Sequence, residues 1–395
     1  MEAYRDNSDT TIVIVPDSFK GSLASSQAAK AIERGIRKAA DVRTLTVPMA
    51  DGGEGTVEAM LASLGGTLRE ATATGPDGEQ VQAFYGVLDG GATAVIEMAA
   101  ASGITLVSDA RRDPLKLTSY GTGELIVKAV EEGCTQLYIG VGGSATNDGG
   151  MGMAQALGVR FYDDAGNALG VGADQLGRIA RIDCSGMHPR LAGVKATVIS
   201  DVTNPLCGEF GATAVFGPQK GVTADTHPVL ESGLRHYAAR IKEQLGRDVL
   251  DLPGAGAGGG IGAGLAAFLS AELQRGIEVV TAAAKLDELI RGAALVITGE
   301  GRTDRQTAFG KVPAGVAAIA SSHNVPVICI SGGLGDDYTE LHKLGITACF
   351  SILRSPMPLD EAMSRAEQLL EEAAEQAVRV FARAAGWHTT ADATP

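Results

Sequence analysis

Short apolar runs that end in polar, glycine-rich turns are the feature that most constrains the fold of this chain. One run, residues 293–297, passes directly into residues 298–311, which hold two carboxylates, two arginines, one lysine and three threonines. A short apolar run bounded by turn signals is typical of a buried strand in a parallel sheet. Ligands of open parallel sheets bind beyond the carboxyl ends of the strands, so these polar residues are predicted to lie at a binding edge.

The same pattern recurs elsewhere in the chain. Apolar runs followed by polar glycine turns occupy residues 12–22, 45–56, 137–150 and 196–208. One such turn is a weak signal, because many are only tight turns. Their recurrence, with acidic side chains and nearby lysines, predicts a shared polar cleft. Between these runs the apolar residues recur with helical spacing, which indicates an α/β architecture.

Length and composition indicate a protein of about two domains. The chain has 395 residues, of which 45% are hydrophobic and 20% charged, as in soluble packed proteins. No apolar stretch approaches the roughly 18 residues that span a bilayer, and the polar N-terminus does not resemble a signal peptide. A cytoplasmic protein is therefore expected.

Charge and cysteine content exclude several classes of function. The formal net charge of −14 opposes nucleic-acid binding and disfavours anionic membranes, so neither is expected as a partner. The five cysteines are odd in number and scattered, which argues against a disulfide framework or a zinc site. Binding of a small anionic ligand stays possible, because the attraction of a nearby lysine outweighs the repulsion from distant negative charges, which salt screens.

A glycine run at residues 254–264 offers a weaker signal. It contains Gly-x-Gly-x-x-Gly at positions 254, 256 and 259, and Glu278 is a possible ribose-binding acid. However, residues 248–253 make a poor strand, so a phosphate loop or a tight helix-packing turn fits equally well. Phe309-Gly-Lys-Val312 is not a Walker A motif, and the protein-kinase His-Arg-Asp and Asp-Phe-Gly signatures are absent, so neither common phosphate cradle is present.

Phosphoryl transfer is one chemistry that this residue set could perform. It requires cations or backbone N–H groups on the phosphates, carboxylates on Mg²⁺ and a base near the accepting hydroxyl. Lys20 and Lys311 are the best candidates for phosphate ligands. The acids that could hold Mg²⁺ or act as base are Asp17, Asp51, Glu54, Glu300 and Asp304. Carboxylates crowded into one cleft repel, which favours a metal ion among them.

Seven ordered segments together resemble the glycerate kinase family, over residues 11–385. They are Asp17-Ser-Phe-Lys-Gly-Ser22, Ala50-Asp-Gly-Gly-Glu-Gly-Thr56, Ser119-Tyr-Gly-Thr-Gly-Glu124, Gly142-Gly-Ser-Ala-Thr-Asn-Asp-Gly149, Asn204-Pro-Leu-Cys-Gly208, Phe216-Gly-Pro-Gln-Lys-Gly221 and Thr298-Gly-Glu-Gly-Arg-Thr-Asp-Arg-Gln-Thr307 with Gly310-Lys-Val-Pro313. The resemblance implies a discontinuous flavodoxin-like parallel-sheet domain, residues 1–75 plus 285–385, and an inserted mixed α/β domain, residues 76–284. Residues 386–395 are expected to form a disordered tail.

The resemblance also implies the reaction: transfer of the ATP γ-phosphoryl group to D-glycerate, with 2-phosphoglycerate favoured over 3-phosphoglycerate. Asp51 or Asp304 would act as base, Lys20 and Lys311 would neutralise the transferring charge, and Arg302 or Arg305 would pair with the glycerate carboxylate. The other implied roles are substrate binding by Asp17 and Ser18, Mg²⁺ binding by Glu54 and Glu300, and ATP binding by Gly142, Gly143, Ser144, Asn147, Gly256, Gly258 and Gly259. A monomer or homodimer is expected.

Two other functions compete with this interpretation. An NAD(P)-dependent oxidoreductase of a small hydroxy acid would use the glycine run at 254–264 and the turn at 140–145. A small-anion binding or sensor protein would gain nothing from so many acids, which makes it the weaker alternative.

Overall fold

The computed structural model describes residues 10–49, 52–88, 90–305, 307 and 311–387. The chain divides into two compact units. The first unit comprises Met1–Ala50, Glu58–Leu64 and Ile277–Pro395, and the second comprises Asp51–Val57 and Gly65–Gly276. The domain limits near residues 75 and 285 stay predictions.

The strands of the described residues, in chain order, are β1 (Thr11–Pro16), β2 (Arg43–Thr46), β3 (Gly66–Thr74), β4 (Gln80–Leu88), β5 (Thr93–Glu97), β6 (Gln136–Gly140), β7 (Arg160–Tyr162), β8 (Arg181–Asp183), β9 (Lys195–Ile199), β10 (Glu272–Gln274), β11 (Leu295–Thr303), β12 (Val327–Leu334) and β13 (Ala348–Ser351).

The α-helices of the same residues are α1 (Ser25–Ala39), α2 (Thr56–Leu64), α3 (Ala99–Ser102), α4 (Tyr120–Glu131), α5 (Met151–Ala156), α6 (Ala212–Phe216), α7 (His227–Leu245), α8 (Ala257–Leu269), α9 (Gly276–Ala283), α10 (Leu286–Ile290), α11 (Val312–Ser322), α12 (Leu359–Ser364) and α13 (Ala366–Ala385). None of the helices in the described ranges is long and apolar enough to cross a membrane.

The first unit is built on a five-stranded parallel sheet in the order β13-β12-β11-β1-β2. Counted within the unit, this is the order 2-1-3-4-5 of flavodoxin-like folds. The central strands β1, β11 and β12 begin as buried, mostly apolar runs, because both faces of the sheet are covered there. Ile12, Ile14, Leu295 and Ile297 are fully buried in the core on one side. The predicted fold class is confirmed for this sheet.

Helices α1 and α13 cover one face of that sheet. Gly35 permits their close approach, because a Cβ atom at this position would lie 2.3 Å from the backbone oxygen of Glu371. The C-terminal segment forms two consecutive helices, α12 and α13. Gly386 ends α13 in a left-handed conformation, and Trp387 is buried with its ring 5.3 Å from that of Phe381. Residues 388–395, the rest of the predicted disordered tail, lie outside the described residues.

The second unit contains a mixed six-stranded sheet in the order β10-β9-β6-β5-β4-β3. The pairs from β10 to β5 are parallel, whereas β3 and β4 form an antiparallel hairpin. A second core packs Phe161, Tyr237 and Phe268 edge to face, with ring centroids 6.0 Å apart in both pairs. The inserted mixed α/β domain is therefore confirmed as a fold class.

Candidate active site

The carboxyl ends of β1, β11 and β12 lie side by side in the first unit. The Asp17 N–H donates to the Gly299 carbonyl at 2.8 Å, and β11 stays paired with β12 as far as Thr303 and Leu334. Residues 298–303 are therefore strand, not the turn that the sequence suggests. Glycine explains the difference, since a Cβ at Gly299 would lie 2.0 Å from the Ile330 carbonyl oxygen.

Glu300 is the most firmly held charged side chain of this edge. Its carboxylate is buried and accepts hydrogen bonds at Oε1 from the hydroxyls of Thr303 at 3.0 Å and Thr307 at 2.6 Å. The Lys311 ammonium lies 3.3 Å from Oε2. Thr303 in turn is bonded to the Ser331 hydroxyl at 2.6 Å. The side chain of Glu300 is thus held in one position by the strand that carries it and by its neighbour.

The other charged residues of 298–311 are more open. Arg302 is 74% exposed and its Nε lies 3.5 Å from Oδ2 of Asp304, whose side chain is 28% exposed. Arg305 is exposed, and Lys311 is 41% exposed at the start of α11. These side chains can reorient toward a ligand, whereas Glu300 cannot.

The turn after β1 adjoins this segment. Asp17 Oδ1 accepts from the N–H of Ser18 at 2.7 Å, and Lys20 is exposed. A Cβ at Gly301 would lie 3.3 Å from the Lys20 backbone nitrogen, so this turn lies against the end of β11. The structure therefore brings together Asp17, Ser18, Lys20 and the predicted residues of 298–311.

A glycine-rich segment outside the predicted site residues completes the edge. Residues 331–334, Ser-Gly-Gly-Leu, form the end of β12, and Gly335 follows it. A Cβ at Gly332 would lie 2.4 Å from the Gly301 carbonyl oxygen, and the Gly335 N–H donates to the Thr303 carbonyl at 2.8 Å. An apolar run, residues 325–330, precedes this segment as in the other five segments, so the same sequence pattern indicates it.

In the second unit, residues 142–150 connect β6 to α5 and are nearly all buried. We call this segment the glycine loop. The Gly142 N–H donates to the Gly52 carbonyl at 2.8 Å. Gly143 adopts a left-handed φ of +71°. Asn147 donates from Nδ2 to the Thr213 hydroxyl at 2.9 Å. Two fully buried acceptor atoms of the loop, Thr146 Oγ1 and Asn147 Oδ1, have no partner among the described residues.

The glycine run at 254–264 packs onto this loop. Gly258, Gly259 and Gly260 are left-handed, with φ of 60°, 73° and 91°, before the right-handed part of α8 begins. A Cβ at Gly259 would lie 1.8 Å from the Thr146 carbonyl oxygen. The Gly256 N–H donates to the Asn204 carbonyl at 3.0 Å. The run follows no strand directly, which argues against a dinucleotide fingerprint and favours a close-packing turn.

Asp148 of the glycine loop accepts hydrogen bonds from the N-termini of two helices, α4 and α5. Its fully buried carboxylate accepts from the N–H and the hydroxyl of Ser119, both at 2.8 Å, and from the N–H groups of Gly150 at 3.1 Å and Gly152 at 3.2 Å. Burial raises the pKa of this carboxyl, and the four hydrogen bonds oppose that rise. Asp148 is therefore a capping residue for α4 and α5.

Lys220 is a buried cation beside the same loop, and the sequence analysis gave it no role. It is 2% exposed, and its ammonium donates to the Ser144 hydroxyl at 2.5 Å and the Thr146 carbonyl at 2.8 Å. Burial lowers the pKa of Lys220 to about 7, and the Asp148 charge opposes this shift. Lys220 belongs to the matched segment 216–221, but its burial is not visible in the sequence.

The residues present fit a magnesium ion that takes most of its ligands from phosphate groups. No group of three or more acidic, histidine or cysteine side chains suited to a metal occurs within the described ranges. Mg²⁺ commonly uses one or two carboxylates plus substrate phosphates. Glu300 uses three of the roughly four acceptor positions of a carboxylate, and Glu54 is exposed in the second unit. Asp51 lies outside the described residues.

A parallel sheet whose carboxyl edge carries a fixed carboxylate, lysines and arginines is typical of α/β enzymes that bind small charged molecules. Comparisons narrow this class. The family described as the glycerate kinase family matches residues 12–382. Glycerate 2-kinase of Escherichia coli K12 is 54% identical over 352 residues, which is 89% of this chain and 92% of the relative. Glycerate kinase of Bacillus subtilis 168 is 50% identical over 366 residues, 92% of this chain and 95% of the relative.

A crystal structure designated glycerate kinase 2, from Salmonella typhimurium LT2, matches with a TM-score of 0.86 and 48% identity. The match covers 95% of this chain and 99% of that one. The chain therefore belongs to the glycerate kinase family. It is an ATP-dependent kinase with a small-molecule substrate, which confirms the predicted family and leaves the oxidoreductase alternative without support.

Proposed function

We propose that the protein transfers the γ-phosphoryl group of ATP to D-glycerate and forms 2-phosphoglycerate. One observation carries this proposal: 54% identity, over 92% of its length, to an Escherichia coli protein named glycerate 2-kinase. The geometry of the first unit supports it, because a carboxylate substrate suits the arginines at the edge of the sheet.

Asp304, in the first unit, is a base for the glycerate hydroxyl, and Asp51 is the alternative base. Asp304 follows β11 directly and is partly exposed, so a substrate can reach it. Lys20 and Lys311 neutralise the charge of the transferring phosphoryl group. Both lie at the start of a chain segment that leaves the sheet edge, where open parallel sheets bind ligands.

Arg302 or Arg305 pairs with the glycerate carboxylate, since a guanidinium fork can bind both oxygens. Both arginines are exposed, and Arg302 is only weakly paired with Asp304 at 3.5 Å. Asp17 and Ser18 complete the substrate-binding set at the neighbouring turn.

In the second unit, the glycine loop contacts the ATP phosphates through Gly143, Ser144 and Asn147. Gly142 and Gly256 each donate their N–H within the protein, so their contribution is a close approach of the backbone. Gly259 packs against the loop at the Thr146 carbonyl, and Gly258 packs against Val141, which directly precedes the loop. Glu54 and Glu300 help to bind Mg²⁺, which would supply positive charge to the phosphates when bound.

The reaction is tested by incubating the protein with Mg·ATP and D-glycerate, following ADP release and identifying the product by phosphorus NMR. The proposal predicts a single resonance of 2-phosphoglycerate. If the product is phosphorylated at the 3-hydroxyl, glycerate is still the substrate, but the proposed position of phosphorylation is wrong. If glycerate does not increase the rate of ADP release, glycerate is not the substrate.

We also propose a cytoplasmic location, because the reaction uses ATP and all five cysteines are free thiols. The expectation of a monomer or homodimer stays a prediction, which sedimentation velocity would test.

A further inference from the structure

Both hydrogen bonds of the Lys220 ammonium go to the glycine loop. Lys220 ends a short 3₁₀ helix, Pro218–Lys220, 76 residues after Ser144 in the chain. Its two hydrogen bonds go to the Ser144 hydroxyl and the Thr146 carbonyl, at 2.5 and 2.8 Å. Removing an ammonium from water is costly unless its bonds are made, so this position is strongly specified.

Ser144 is left with a free hydroxyl proton. Its oxygen accepts from the Lys220 ammonium, and within the described part of the chain no acceptor takes the Ser144 proton. The residue is only 6% exposed. A hydroxyl that accepts from an ammonium is polarised and becomes a better donor, especially where water is scarce. Its natural partner is an anionic oxygen, either a phosphate or a carboxylate.

The scaffold around Ser144 is rigid. Asn147 is bonded to Thr213, which lies only seven residues before Lys220 in the chain, and Asp148 makes four hydrogen bonds. Gly259 leaves no free space behind Thr146. A donor held in this way loses little side-chain entropy when a ligand binds.

We propose that Lys220 is a positioning residue, which holds the Ser144 hydroxyl so that it donates to an anionic oxygen of the bound ligand. The oxygen belongs to an ATP phosphate or to the glycerate carboxylate. This inference rests on the proposed function for the identity of those two ligands. Ser144 touches the ligand, and Lys220 acts through Ser144.

A double-mutant cycle tests the proposal. The variants are Ser144→Ala, Lys220→Met and the double variant, with Lys116→Met as the control for loss of an exposed lysine in the same unit. Binding of Mg·ADP, Mg·ATP and D-glycerate is measured by calorimetry, and KM and kcat are measured for both substrates. Thermal melts establish that each variant is folded.

Each single variant is expected to weaken one anionic ligand by about ten- to a hundredfold, the usual loss for a hydrogen bond to a charged group. The double variant should be no worse than the poorer single variant, because the two residues act as one unit. Lys116→Met should match the parent protein. A loss confined to ATP and ADP identifies a phosphate oxygen, and a loss confined to glycerate identifies the carboxylate.

Three results would overturn the proposal. They are unchanged ligand binding in Ser144→Ala, additive losses in the double variant, and an equal loss in Lys116→Met. If Lys220→Met does not fold, Ser144→Ala still decides, because it removes the proposed donor while the Lys220 ammonium keeps its hydrogen bond to the Thr146 carbonyl. Failure of the proposed function looks different: the parent protein would release no ADP with glycerate, while the nucleotide-binding arm would still report on Ser144.

Discussion

The two candidate site regions use polar side chains in opposite ways. At the sheet edge of the first unit, Arg302 and Lys311 are 74% and 41% exposed, and their ion pairs are long, 3.5 and 3.3 Å. In the second unit, Asp148 and Lys220 are at most 2% exposed, and the glycine loop is hydrogen bonded on several sides. Substitutions in the first region should therefore change the free energy of unfolding little. Substitutions in the second region should affect both its chemistry and the stability of the fold.

The largest expected effect is on folding, at Gly259. In Gly259→Ala the new methyl group would lie 1.8 Å from the Thr146 carbonyl oxygen, at a left-handed φ of +73°. We expect a loss of about 4 kcal/mol or more in the free energy of unfolding, measured by urea titration.

Gly246→Ala is the matched control for that variant. Gly246 has a similar φ of +68° but nothing within 4 Å of the new atom. Only the left-handed strain of about 1 kcal/mol should appear. Equal losses in the two variants would show that the close packing of the glycine loop adds nothing.

The next effect is on turnover, at the sheet edge. Asp304→Asn keeps the shape of the side chain but removes the base, so kcat should fall by about 10²–10⁴-fold. The free energy of unfolding should change by less than about 0.5 kcal/mol, because Asp304 is partly exposed. Steady-state ADP release and a urea titration give the two numbers.

Asp51→Asn is measured beside it, since either acid can be the base. Asp41→Asn is the control, because Asp41 is exposed and precedes β2, at the opposite edge of the parallel sheet. Near-parent turnover in both Asp304→Asn and Asp51→Asn would remove these acids from the mechanism.

The third prediction concerns pH and the buried lysine. The pKa of Lys220 is lowered by burial from 10.5 to about 7, so between these values the unfolded chain binds more protons than the folded one. Stability contributed by this position therefore rises with pH across that window, by up to about 1.4 kcal/mol per pH unit.

Lys220→Met removes this dependence. The stability of the parent protein relative to the variant should increase from pH 7 to pH 9, as measured by urea titrations of both. Other titrating groups cancel in the difference. A constant difference across the window would mean that Lys220 keeps its ordinary pKa in the fold.

The same contrast explains what the sequence could predict. Continuous apolar runs identify β1, β6, β9 and β11, because both faces of a parallel strand are buried. Once these strands are identified, the polar segments after them are predicted as well. The acids and arginines at the first edge lie within these local segments. Lys220 and Ser144 are 76 residues apart, so their contact depends on packing that no local pattern encodes.

Close backbone approach sets the other limit. The apolar pattern predicts that this strand ends at residue 297, because residues 298–303 carry glycine and polar residues. In the structure β11 continues to Thr303, since Gly299 and Gly332 let neighbouring backbones come close. Likewise Gly258, Gly259 and Gly260 form a left-handed turn that packs on the glycine loop. Glycine allows both outcomes, and only the neighbouring chain decides between them.

The smallest expected effect separates binding from stability at the exposed edge. Arg302→Gln removes the guanidinium while keeping much of the stem, and its ion pair with Asp304 is long and exposed. Unfolding should therefore change by less than about 0.5 kcal/mol. If Arg302 pairs with the glycerate carboxylate, KM for glycerate should rise by about ten- to a hundredfold with KM for ATP unchanged. Arg305→Gln tests the alternative, and Arg291→Gln, another exposed arginine of the first unit, is the control. A rise in KM for glycerate in neither Arg302→Gln nor Arg305→Gln would show that the open edge does not bind the carboxylate, and would leave the lysines of that edge as its candidate partners.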